Sequence, residues 1–177
     1  MTLRPAVFLD RDQLATCKLA MRTREGTLAP VLVIGRPAID NLIDEHELAF
    51  SIARQLADLR TDRIARLLCP RAGELSQIIE LVLADPDTRR LPASRWLQTA
   101  LHPLELDQTS AIGQRLRERN IQPLSAAMGW LAATARAADR VGFIVAGELE
   151  SCIRVVEREP ATPGEHGRIL DLVWACV

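Results

Sequence analysis

The sequence predicts an α+β, mostly helical fold in which a small N-terminal β-sheet is followed by a helical body. Three observations point there. The first forty residues hold short apolar runs broken by turn residues. From Asp44 onward apolar residues recur at intervals of three and four. Neither an internal repeat nor a low-complexity linker divides the chain. The 177 residues read as a single domain, 1–177, β-rich over 1–43 and helical over 44–177.

Pro5 to Leu9, Cys17 to Thr23 and Pro30 to Ile34 are the strand candidates, with Glu25-Gly26 as a hairpin turn between the second and third. Val31, Leu32, Val33 and Ile34 form an unbroken apolar run, which suits a strand buried on both faces; Gly35 and Pro37 end it. Beyond Asp44, residues Leu48, Ile52, Leu56 and Leu59 fall on one helix face. Asp44, Glu45 and Glu47 place negative charge where the helix dipole favours it. Glu74 to Ala84 repeats the pattern with Leu75, Ile78, Ile79 and Val82. Ser94 to Leu101 and Thr109 to Arg119 read as further helices. Pro123 to Arg158 is the longest helical stretch, with a bend expected at Gly142 or Gly147. Pro160 to Gly167 reads as a loop and Arg168 to Cys176 as a last apolar helix.

Composition excludes several function classes. A net charge of −1 supplies no field for nucleic acid or an anionic membrane, and the absence of tyrosine removes the usual stacking platform for single strands. The Arg-rich stretch Arg60 to Arg71, which also holds Asp62, belongs to a chain without net positive charge and makes a poor DNA-binding face. Cys17, Cys69, Cys152 and Cys176 lie far apart, with no Cys-x-x-Cys pair. They read as reduced thiols, Cys176 being the one expected at the surface. No signal peptide and no membrane-spanning apolar run is visible, so a soluble, cytoplasmic protein without nucleic-acid or membrane partners is expected.

His46-Glu47-Leu48-Ala49-Phe50 is one residue short of H-E-x-x-H, in which two histidines one helical turn apart hold zinc. Phe50 cannot ligate, and the His46-Glu47 pair reads as solvated surface. The serines lack a G-x-S-x-G setting, and no phosphate-binding glycine loop occurs. Glu148 and Glu150 flank Leu149 on a helix, a poor carboxylate pair that reads as a solvated face.

A longer comparison is more informative. Val33-Ile34-Gly35-Arg36-Pro37 leads through Asp40 and Asp44 into Glu47-Leu48-Ala49-Phe50-Ser51-Ile52-Ala53, and then into Arg54-Gln55-Leu56-Ala57-Asp58. Further on stands Ala138-Asp139-Arg140-Val141-Gly142-Phe143. These two segments resemble the zinc-helix region and the Ala-Asp-x-x-Gly segment of the HtpX-like and CAAX-prenyl type gluzincin metallopeptidases. In the register the resemblance implies, the H-E-x-x-H motif falls on Arg54, Gln55 and Asp58, and the third ligand on Ala135. The resemblance therefore implies a gluzincin-like pseudo-peptidase with vestigial positions Arg54, Gln55, Asp58, Ala135 and Asp139, no metal and no cofactor. An arginine has no lone pair to lend a metal.

Arg54 is expected to carry the positive charge that zinc supplies in active relatives, pairing with Asp58 one turn on and with Asp139 if the family packing is kept. The function expected is a non-catalytic protein-interaction or scaffolding domain with a protein partner; self-association is open. Its binding surface is expected along the edge Val31, Leu32, Val33 and Ile34, with the apolar tail Ile169 to Val177 as a second candidate. The alternative is a hydrolase with a reorganised site, in which His46 or His102 meets Glu47 or Asp139.

Overall fold

A computed structural model describes residues 4–24, 27–60, 62–84, 106–159 and 167–176. Among these residues three strands precede the helices: β1 (Ala6–Asp10), β2 (Cys17–Arg24) and β3 (Thr27–Gly35), then α1 (Arg36–Ile39), α2 (Glu45–Ala57), α3 (Ile64–Leu68), α4 (Ala72–Leu83), α5 (Leu106–Glu118), α6 (Pro123–Ala146), α7 (Leu149–Arg158) and α8 (Arg168–Trp174). This is the mostly helical α+β arrangement that the sequence predicts. The Glu25-Gly26 turn, the Ser94 to Leu101 helix and most of the Pro160 to Gly167 loop lie outside the described residues.

The sheet order is β1-β3-β2. β3 pairs parallel with β1, Ala6 opposite Val31 through Asp10 opposite Gly35, and antiparallel with β2, Cys17 opposite Ile34 through Arg24 opposite Thr27. The continuous apolar run of β3 follows from this central place, since Val31, Leu32 and Val33 are all buried. It also corrects the expected binding edge. Both sides of Val31 to Ile34 are already hydrogen-bonded to neighbouring strands, so no peptide can add there.

The chain divides into two compact units, residues 1–68 with 132–177, and residues 69–131. In the first, one face of the sheet (Cys17, Leu19, Leu32 and Ile34) packs with Ile52, Leu59 and Leu67. A second core joins Phe50 to Ala146, Cys152, Val155, Val156 and Leu172. Helix α2 thus serves both cores. The predicted stripe of Leu48, Ile52, Leu56 and Leu59 is only part of its buried surface: Leu56 is 37% exposed, while Phe50, Ala53, Arg54 and Ala57 are buried. Asp44 caps α2 by accepting from the Glu47 amide at 2.7 Å, and Glu47 returns the bond to the Asp44 amide at 3.2 Å. In the second unit α4 and α5 pack together, and Arg117 Nη1 donates to the Leu83 carbonyl at 2.6 Å, near the end of α4.

Of the two glycines offered as a bend, Gly147 is the one. With φ of 68° it separates α6 from α7, a conformation that glycine adopts without penalty. Gly142 lies inside α6, where an added Cβ would come within 2.7 Å of the Phe50 ring. Its lack of a side chain lets α6 approach α2.

Candidate functional site

Two of the positions singled out by the sequence, Arg54 and Asp139, meet in the first unit in a buried charge cluster. Arg54, on α2, places Nε 2.8 Å from Asp139 Oδ1, and their side chains are only 8% and 1% exposed. The contact is an ion pair set off the hydrogen-bonding axis, because Arg54 Nε makes no hydrogen bond. Arg54 instead donates to both oxygens of Glu159, from Nη1 at 2.7 Å and Nη2 at 3.1 Å. Asp139, on α6, accepts from Arg168 at the start of α8, through Nε at 2.6 Å and Nη2 at 2.8 Å. Arg168 Nη1 closes the ring by donating to Glu159 at 3.0 Å. Two guanidinium and two carboxylate groups neutralise one another here, which is the condition for keeping charges in a low-dielectric interior.

The other vestigial positions are also committed. Gln55 Oε1 accepts from the Leu19 amide at 3.0 Å and so ties α2 to β2. Asp58 does not pair with Arg54 as the helical spacing suggested. Its nearest cation is Arg66, 3.6 Å away, and its Oδ1 makes no hydrogen bond. Burial pushes the Asp58 carboxyl up, against the pull of Arg66, Arg63 and Arg54. Ala135 is fully buried and offers only a methyl group. The donor set at these positions does not fit zinc: a guanidinium, an amide engaged with the backbone, a carboxylate and a methyl group. Among the described residues no group of three or more His, Cys, Asp or Glu side chains is placed to hold a metal ion.

The His46-Glu47 pair is not the solvated surface expected of it. Glu47 is 3% exposed and lies 3.0 Å from Arg154 Nε and 3.1 Å from Arg158 Nη2. Arg154 also reaches Asp44 at 2.7 Å and Glu150 at 3.1 Å. Glu148 likewise has a structural task, capping α7 by accepting from the amides of Glu150 and Ser151. His46 Nδ1 sits 2.7 Å from the Ala146 carbonyl, and that hydrogen bond, as donor, raises its pKa above the ordinary histidine value. The carboxylates a reorganised hydrolase would pair with histidine, Glu47 and Asp139, are held by arginines instead. His102 lies outside the described residues.

Beside the cluster opens a cavity of about 360 Å³, lined by the loop before β2 (Leu14, Ala15, Thr16), Cys17, Pro37, Ile43 and side chains of α2 and the end of α7. Leu14, Pro37, Ile43 and Val155 make it largely apolar; Arg54, Arg158 and Glu159 reach it from the charged side. Ser51 is among the lining residues, but its hydroxyl is closed off from the cavity's accessible surface and has no hydrogen-bond partner among the described residues. A serine without a base is no activated nucleophile. Nor is Cys17, whose thiol burial pushes up to about 12.

Sequence reasoning missed Glu159, Arg168 and the pocket. Arg168 lies 29 residues from Asp139, and Glu159 lies 105 from Arg54. No local spacing rule links residues so far apart. No protein-family model, curated protein or solved structure matches this chain.

Proposed function

We propose that this chain is a non-catalytic, peptidase-derived interaction domain of the cytoplasm, whose pocket beside Arg54 takes an apolar side chain from an extended segment of a protein partner. The observation that carries this reading is the make-up of the pocket: mostly apolar walls, and neighbouring charges that already neutralise one another. A charged guest would unbalance that cluster. An apolar side chain would bury its surface against Leu14, Pro37, Ile43 and Val155. A second contact surface is offered by α8, where Leu170, Val173 and Trp174 are exposed at a helical spacing that puts them on one side. The free cysteines fit a reducing compartment.

Selection of peptides from a random displayed library on the purified chain tests the reading. Peptides chosen on the wild type are expected to bind Ile43→Trp, which fills the pocket from its half-exposed rim, roughly tenfold or more weakly, a loss of about 1.4 kcal/mol. If no peptide is selected, or if binding ignores the filled pocket, the reading fails.

A further inference from the structure

β1 is an edge strand of unusual character. All five of its residues are exposed, and Val7, Phe8 and Leu9 are 60%, 45% and 73% accessible. Val7 and Leu9 stand opposite Leu32 and Ile34, on the sheet face that packs with α2, yet remain uncovered. Phe8 stands on the other face, with the Arg22 guanidinium 5.3 Å from its ring centre. The opposite edge, β2, carries exposed Lys18, a charge of the kind that guards an edge against further pairing. Within Ala-Val-Phe-Leu of β1 there is no such guard; charge appears only at the ends, in exposed Arg4 before the strand and Asp10 at its close. Arg4 has no carboxylate partner among the described residues.

We propose that this chain forms a two-fold homodimer by antiparallel pairing of β1 with β1 of a second copy, giving a continuous six-stranded sheet. The strand is complementary to itself in one register. With Val7 opposite Val7 on the two-fold axis, Arg4 falls opposite Asp10 of the other copy, twice over, so both chain-end charges are met. In the same register the bulky Phe8 faces the small Ala6, and Leu9 faces Pro5. The apolar overhang of Val7 and Leu9 from the two copies would then form one patch on the α2 side of the joined sheet. The pairing would also satisfy the outward backbone groups of β1, which otherwise remain a template for unspecific strand addition. The inference does not rest on the peptide pocket, which β1 does not line.

Analytical ultracentrifugation of the full chain over a wide concentration range is the test. The sedimenting mass of the wild type is expected to rise from one chain toward two. Val7→Asp, which sets two like charges on the axis at a site exposed in the single chain, is expected to stay monomeric with unchanged melting. Arg4→Asp should weaken association roughly tenfold or more, about 1.4 kcal/mol, and the exchange R4D/D10R should restore it. A wild type that stays monomeric throughout, a dimer that survives Val7→Asp, or an exchange variant no better than Arg4→Asp would each overturn the proposal.

Discussion

Arg54 is an arginine set in the interior, and its surroundings show what such burial requires. A permanent cation that is 8% exposed needs carboxylates on more than one side, and it has Asp139 at 2.8 Å and Glu159 at 2.7 Å. Those carboxylates in turn need a second cation, which Arg168 supplies. Arg54 and Asp139 were both named in the sequence, though no spacing rule links residues so far apart. Glu159 and Arg168 were not, since they border residues 160–166 and share no periodicity with α2. Glu159 also gives the cluster a pH signature. Burial raises its carboxyl pKa, but Arg54 and Arg168 outweigh that, and the net shift is downward from 4.5. A depressed carboxylate contributes stability that is fully present above its unfolded pKa and is lost as pH falls through the folded one. Chemical unfolding measured from pH 7 downward should therefore show the wild type losing stability below about 4.5 more steeply than Glu159→Gln. Parallel acid limbs would show that Glu159 is not coupled to folding.

At the scale of elements, the strands and most helices were legible because their periodicities are strong and their caps local. The Asp44-Glu47 capping box fixes the start of α2. Strand order was less legible. An unbroken apolar run such as Val31 to Ile34 marks a strand covered on both faces, and such a strand belongs in the middle of a sheet. Assigning it a free edge ran against that same observation. The choice between Gly142 and Gly147 could not be made from the sequence either, since both interrupt the same helical stretch. The structure separates their roles, and substitution should do so as well. Gly147→Ala puts a side chain at φ of 68° with nothing nearby, a backbone penalty of about 1–2 kcal/mol. Gly142→Ala drives a methyl group against Phe50, which is fully buried and unable to yield, and overpacking of this kind costs about 1–3 kcal/mol. It should also loosen the contact between α6 and α2. Denaturant unfolding of both variants, with near-ultraviolet circular dichroism to follow Phe50, checks the distinction. A normal Phe50 environment in Gly142→Ala would contradict the close packing.

In the molecule as a whole, buried ion pairs tie the helices of the first unit together. Asp44, Glu47, Arg154 and Arg158 brace α2 against α7, while Arg54, Asp139, Glu159 and Arg168 join α2, α6 and α8. The features left for recognition are the Ser51 pocket, the exposed side of α8 and the bare edge of β1. The pocket and the bare edge arise from tertiary placement and strand order, which is why composition and motif reading did not find them. The exposed side of α8 lies in the tail that the sequence had already put forward.

The unfolding free energy of Arg54→Met, measured against the wild type at neutral pH, tests whether this cluster holds the helices together. Methionine keeps much of the side-chain bulk but leaves Asp139 with one cation and removes two hydrogen bonds from Glu159. A loss of about 3–5 kcal/mol is expected for breaking a buried ion pair from one side. Unchanged stability would show that the cluster does not hold these helices together, and that Arg54 is kept for some other purpose.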